Sequence, residues 1–281
     1  MNIRQEGRYT EVFFNSIYEI EDAKVTEPTN ARRQENNERN GSSGDTTPLD
    51  WWGVHGGYAA VKGFVSGGWR DGVEKAHAAL EVLNAPRLKT IRRRKIRSDF
   101  GDHLDMQAVY GGNLDRAWES THRDAGAMQQ GQTVTLVVNL GAAWTVAAKD
   151  MCWKGAAATG LCDELQKSGR NVRIIGYTAQ EGIYKNGGNK VVIVTLKEYQ
   201  DVLNESIIAA TTALAGFFRS YIFKALRVDE SQVGCGRGRP STTYKPKMLE
   251  EESDVYYINN DWSKEQAERL LNEEGTKVKG K

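Results

Sequence analysis

Cysteine is scarce: Cys152, Cys162 and Cys235 are the three in 281 residues, an odd number with no C-x-x-C spacing. That argues against both a disulfide framework and a structural zinc site and fits a reducing compartment. Long apolar runs are missing as well, and nothing approaches the ~20 consecutive residues that a membrane-spanning helix requires. The opening MNIRQEGRYTEVFF lacks the apolar stretch of a secretory signal, so a cytoplasmic location is expected. Neither charge is in excess, with 38 Lys and Arg against 37 Asp and Glu. A polyanionic partner would therefore have to be met by a local patch, not by the field of the whole molecule.

What is present is enough apolar residue for a substantial core. YTEVFF (9–14) reads as a strand and residues 17–23 as a helical turn. Residues 26–48, TEPTNARRQENNERNGSSGDTTP, hold almost no large apolar side chain and read as a surface linker. Tyr58, Val61, Phe64 and Val65 have helical spacing, as do Val73, Ala76, Leu80 and Leu83, which predicts two helices joined at Ser66-Gly67-Gly68. Leu114–His122 reads as one more short helix.

The clearest pattern is TVTLVVNL from Thr133, a β-branched run suited to a strand buried on both faces of a parallel sheet. A helix over about 148–168, a strand at 172–178 and another at 191–196 complete a β-α-β-β order. Ile207–Leu226 reads as a long apolar helix, 256–258 as a last strand, and Ser263 with Gln266 as the start of a final helix. The tail 276–281 is small and charged. The boundaries expected are a strand and helix over 1–25, the linker 26–48, a helical region 49–99 and an α/β domain 100–275.

In an open α/β sheet, ligands bind at the carboxyl ends of the strands, so NLGAAWTVAAKD is the first place to look for chemistry. Only Gly141 is available there, and neither a phosphate loop nor a dinucleotide fingerprint is formed. The run VTLVVNLGAAWTV, the helix with GAAATGLCDELQKSG and the strand NVRIIGYT resemble a von Willebrand A domain. In that family the first strand ends in D-x-S-x-S, whose oxygens hold a divalent cation. The matching positions are Asn139, Gly141 and Ala143, and glycine and alanine supply no side-chain ligand, so no metal and no cofactor is expected.

A closer resemblance is to uncharacterised bacteriophage and prophage proteins related to the von Willebrand A part of cobaltochelatase-like subunits. It rests on SGGWRDGVEKAHAAL, GDHLDMQAVYGGNLDRAW, VTLVVNLG and KGAAATGLCDELQKSGRNVRI. The resemblance implies a three-layer α/β sandwich of von Willebrand A type, preceded by a smaller mainly helical region. It also implies a phage protein acting in the infected host cell, with no activity that carries over to particular residues. The degenerate crevice and its adjoining loops are read instead as a non-enzymatic interaction module, with Asn139, Gly141, Trp144, Thr145 and Thr178 as candidate partner-binding residues and another protein as the expected partner.

Two basic segments support an alternative, a nucleic-acid-binding accessory protein. Arg92, Arg93, Arg94, Lys95 and Arg97 lie within a run dense enough to neutralise several phosphates, although pairing with Asp99, Asp102 and Asp105 would make the same run an ordinary edge. GRGRP (236–240) resembles an AT-hook, with Arg237 and Arg239 for a narrow minor groove and Lys245 and Lys247 for flanking phosphates. A plain turn would use the same glycines and proline. A third alternative, a hydrolase built on His103 and Asp105, has no third ligand or H-E-x-x-H spacing behind it. Most of the seven tryptophans read as core anchors, and Trp144 is singled out by its place in the strand-end loop.

Overall fold

The computed structural model describes residues 1–24, 48–82, 93–98, 103–104, 106–113, 117–123, 133–142, 146–167, 169–183, 188–228, 239–241, 243–249, 254–259, 263–269 and 272. In chain order, a hairpin of β1 (Asn2–Glu6) and β2 (Tyr9–Phe14) is followed by α1 (Ile17–Asp22), α2 (Pro48–Trp52), α3 (Gly57–Gly67) and α4 (Arg70–Val82). Then come β3 (Arg93–Ser98), β4 (His103–Leu104), α5 (Met106–Tyr110) and β5 (Trp118–Arg123). The central part is β6 (Thr133–Asn139), a short turn Ala148–Asp150, α6 (Met151–Lys167), β7 (Asn171–Glu181) and β8 (Asn189–Lys197). α7 (Glu205–Thr212), α8 (Ala215–Ala225), β9 (Arg239–Pro240) and β10 (Val255–Ile258) complete the set, with a helical turn over 264–269.

The main sheet has the order β1-β2-β8-β7-β6-β10. β10, β6 and β7 run parallel, β8 is antiparallel to β7, and β2 is parallel to β8. β6 has the β-branched run of a central strand and is buried from Val134 to Asn139. β6, α6, β7 and β8 follow one another as β-α-β-β, and a mixed α/β sheet with helices is the result.

One face of the sheet carries the large core. Val134, Leu136, Val138, Val172, Ile174, Val192 and Val194 pack there against Val61, Val65, Leu161, Leu165, Ile208, Phe217 and Ile222 from the helices. α3 and α4 thus share a core with the strands instead of standing apart. Their junction is where the glycines predict it: Gly68 has φ of +86°, and its amide closes α3 on the Phe64 carbonyl at 2.8 Å. The opposite face, with Val137, Ile175, Tyr177, Val191 and Ile193, is covered by Tyr244 and Leu249. Among the described residues this second face is covered by an irregular strap, 239–249, and not by a helical layer.

The long apolar stretch does not form one helix. α7 and α8 bend by 64°, and Leu214 between them is extended. Thr211 and Thr212 bond back to the Ile207 and Ile208 carbonyls at 2.7–3.1 Å, a pattern that competes with the helical ladder. Gly155 of α6 allows Ala213 at the bend to approach so closely that a Cβ there would stand 2.2 Å from the Ala213 Cβ. No single helix among the described residues is long and apolar enough to cross a membrane. Of the helix expected over Leu114–His122, residues 114–116 lie outside the described residues and the rest is not helical: Trp118–Arg123 is strand β5, held by antiparallel pairing to β3. Ser263 does begin a helical turn, with Gln266 N donating to Ser263 Oγ at 3.3 Å and Ser263 N to Gln266 Oε1 at 3.1 Å.

Cys162 lies fully buried in α6, and burial pushes its thiol up to about 12. A thiol whose folded pKa exceeds its unfolded value near 9 stabilises the fold fully below pH ~9 and loses that contribution as pH rises toward ~12. We expect the melting temperatures of wild type and Cys162→Ala to diverge least at high pH. A gap that stays constant from pH 8 to pH 10.5 would show that the buried thiol does not contribute to the alkaline limb.

Candidate functional site

The carboxyl end of β6 is where the chain has its most unusual polar arrangement. Leu140 N donates to the Tyr177 carbonyl at 2.6 Å, which carries the strand pairing one residue past β6. Asn139 turns its side chain back on its own backbone, its Oδ1 accepting from Gly141 N at 2.9 Å. Gly141 is required by crowding: a Cβ there would lie 2.5 Å from Thr178 Oγ1 and 3.1 Å from Asn139 Oδ1. Thr178 Oγ1 in turn accepts from Gln180 Nε2 at 3.0 Å.

Into this strand end reaches Lys154 from the first turn of α6. Its side chain is fully buried, and its Nζ donates to the carbonyl of Asn139 and, at 3.5 Å, to that of Gly141. An ammonium out of water is costly unless its protons are bonded, and here they meet oxygens at the very place where an α/β fold presents its crevice. On the neighbouring strand, Tyr177 pairs with Asn139, its hydroxyl donates to Asn259 Oδ1 at 3.0 Å, and burial pushes its ionisation upward.

Lys154 belongs to a set. Lys190 Nζ donates to the carbonyls of Leu226, at 2.8 Å, and Val228 just past α8. Lys197 Nζ donates to those of Val172 and Glu198 at 2.7 and 2.8 Å. Lys224 Nζ donates to the Glu21 carbonyl at the end of α1. Arg219 in α8 donates to the carbonyls of Asp50 and Trp51 at the end of α2, at 3.2 and 2.5 Å, and to that of Val146 at 2.9 Å. Its guanidinium lies 4.4 Å from the Trp51 ring centroid. Burial lowers Lys197, Lys224 and Arg219, the last to about 10. In each case a cation bonds backbone carbonyls at or near the end of a helix or strand or in the loop beside it. Arg219 ties α2 to the loop that leaves β6.

A third structural element meets the same place. β7 continues to Glu181, past the end of β6, and its freed edge is taken by β9, with Gln180 opposite Pro240 and Glu181 opposite Arg239. Ser241 N then donates to the Ala179 carbonyl at 2.8 Å. The strap continues along the second face: Tyr244 stacks on Tyr9 with ring centroids 4.1 Å apart, and its hydroxyl donates to Glu11. Burial and the Glu11 carboxylate both raise the Tyr244 ionisation.

A family model described as "Domain of unknown function (DUF7192)" matches residues 3–278. The chain belongs to the DUF7192 family. No curated protein and no solved structure matches it.

In this DUF7192 chain the residues expected to contact a partner are distributed unevenly. Asn139, Gly141 and Thr178 are buried and bonded to one another's neighbourhood, so they form the floor of the strand end, not its surface. Trp144 and Thr145 lie outside the described residues; the loop continues with half-buried Val146 and exposed Ala147. Of the AT-hook-like segment, Arg237 lies outside the described residues and Arg239 is paired in β9. Lys247 bonds Glu6 at 2.5 Å, and Lys245 stands over the Tyr257 ring at 4.7 Å. These contacts build the strap into the fold. Arg93, Arg94, Lys95 and Arg97 lie on β3, and Arg92 outside the described residues. His103 is in β4 opposite Glu119, and Asp105 lies outside the described residues. Among the described residues no group of three His, Cys, Asp or Glu side chains is placed to hold a metal ion.

Proposed function

We propose that the chain is a non-enzymatic interaction module, a von Willebrand A-like α/β domain of bacteriophage or prophage origin that binds a protein partner in the host cytoplasm. The β-α-β-β order from β6 to β8, with β6, β7 and β10 parallel and β8 antiparallel, supports the kinship. Asn139 and Gly141 stand at the first and third positions of the metal-binding D-x-S-x-S. The departure is the cover on the second face of the sheet, which among the described residues is the strap with Tyr244 and Leu249.

The observation that carries the reading is Lys154. Its ammonium stands at the end of β6, bonded to the Asn139 and Gly141 carbonyls, where the resemblance would have a divalent cation. A fully buried lysine amine bonded to two carbonyls supplies rigidity but no exchangeable coordination position and no Lewis acid open to substrate. The crevice is thereby converted from a site of chemistry into a scaffold, and its rim, the loop through Val146 and Ala147, is the surface left to meet a partner.

The test is capture from infected cells with tagged wild type and with Ala147→Arg, a change at an exposed position of that rim. The expected result is one phage or host protein retained by wild type and lost with the variant, while the variant melts at the wild-type temperature. Retention of every captured protein by Ala147→Arg would contradict the assignment of the rim.

A further inference from the structure

The main sheet ends on β1, which among the described residues pairs with β2 alone. Its register with β2 fixes which backbone groups face out. Glu6 and Tyr9 close the hairpin across the two-residue turn Gly7-Arg8, with Gly7 at φ of +59°, and such a closing pair exchanges both hydrogen bonds. Bonded and non-bonded pairs alternate along an antiparallel ladder, so Glu6, Arg4 and Asn2 turn their amides and carbonyls toward β2. The Arg8 carbonyl, which accepts from Asn189 N at 2.9 Å, follows the same alternation on the side of β2 that faces β8. Ile3 and Gln5 therefore present their amides and carbonyls to the open edge. Residues 2–5 are all exposed, Ile3 at 44%.

We propose that this edge docks a second copy of the same chain, β1 against β1 and antiparallel, about a two-fold axis at Gln5. That axis sets Gln5 opposite Gln5 of the second copy, Arg4 opposite its Glu6, Glu6 opposite its Arg4 and Ile3 opposite its Gly7. The Gln5 pair faces outward on both strands and exchanges two backbone hydrogen bonds. The two Arg4–Glu6 pairs fall at non-hydrogen-bonded positions, where side chains come closest. Their charges are already ordered: Arg4 Nη2 lies 3.0 Å from Glu6 Oε2 within the strand, and Lys247 holds the other carboxylate oxygen at 2.5 Å. Gly7 leaves open ground for the exposed Ile3, since even a Cβ there would meet nothing within 4 Å. Moving the axis to Arg4 would set Arg4 against itself, a like-charge contact. Moving it to Ile3 would put Arg4 opposite Asn2 and Glu6 beyond the end of the other β1. Charges on an edge strand discourage pairing with an arbitrary sequence, but the order of Arg4, Gln5 and Glu6 complements its own antiparallel copy. The surface is separated from the β6 crevice by β2, β8 and β7, and its occupant does not depend on the partner proposed there. An edge of five residues buries little area, so the dimer is a reversible one.

The experiment is sedimentation equilibrium of the full chain from about 1 µM to about 1 mM, the range of weak complexes. Wild type is expected to pass from monomer toward twice the monomer mass. Arg4→Glu and Glu6→Arg, each alone, should weaken dimerisation at least ~10-fold, because each sets two like-charge pairs across the edge. An equimolar mixture of the two variants should restore the dimer, since opposite charges then face each other at both positions. Gln5→Pro, which removes an outward amide and leaves the ladder to β2 in place, should also weaken it. If circular dichroism shows Glu6→Arg unfolded, amide exchange of wild type decides: the Gln5 amide must exchange more slowly at high than at low protein concentration. The proposal is overturned by a wild type that stays monomeric across the range, by folded single reversals that dimerise as wild type does, by a mixture of folded variants that remains monomeric, or by Gln5 exchange that ignores concentration.

Discussion

Replacing Lys154 by alanine is expected to destabilise the protein by about 3–5 kcal/mol, and to lower its melting temperature by roughly 10 °C. Two contributions add. The carbonyls of Asn139 and Gly141 lose a buried donor, and leaving a buried acceptor unbonded costs about 1–3 kcal/mol. The three methylenes beyond Cβ and the amine of a fully buried side chain also leave a cavity. Lys154→Met separates the two, since it keeps most of the volume and removes the donor. Its melting temperature should fall between those of Lys154→Ala and wild type. A Lys154→Met protein as stable as wild type would mean that the ammonium contributes packing only.

Arg219→Ala should cost about 3 kcal/mol or more, read in urea unfolding as a lower midpoint with an unchanged slope. The guanidinium closes carbonyls of Asp50, Trp51 and Val146 and stacks on Trp51. Removing it frees the end of α2 and the loop leaving β6 together. Part of the loss is offset because a buried charge no longer has to be kept out of water, the same burial that lowers Arg219 to about 10. The second consequence is local: amide exchange should accelerate in residues 48–54 and 146–148 before it does in β6. Uniform acceleration across the sheet would assign Arg219 to the core at large.

The strands and helices that the sequence announces are those with an uninterrupted signal. TVTLVVN, VRIIGYT and VVIVTL have no residue that belongs elsewhere, and Gly68 stops α3 where a positive φ is needed. β5 was harder to see because WESTHR has neither period clearly, and only its pairing with β3 makes it a strand. The break in the 207–226 stretch depends on Gly155 of another helix meeting Ala213, a tertiary contact with no local mark.

At the strand end, the sequence points to the right place and hides its occupant. Asn139 and Gly141 are legible as the remnant of a motif, whereas Lys154 lies 13 residues on from Gly141 and reads there as one charge on a helix. A signal was nevertheless present. Lys154 in MCWKGAAATG, Arg219 in GFFRSYIF and the lysines at either end of VVIVTL are cations embedded in apolar sequence. A charge in such a setting has to find oxygen inside the protein.

The central claim is that the crevice holds its own cation, and divalent-metal titration of the chelator-treated protein tests it most directly. Wild type melted across increasing Mn²⁺ or Mg²⁺ should show no saturable gain in melting temperature, because Lys154 occupies the position a metal would take. A saturable rise in the wild-type protein, reversed by chelator, would contradict the account, since a ligand that binds only the folded state must stabilise it.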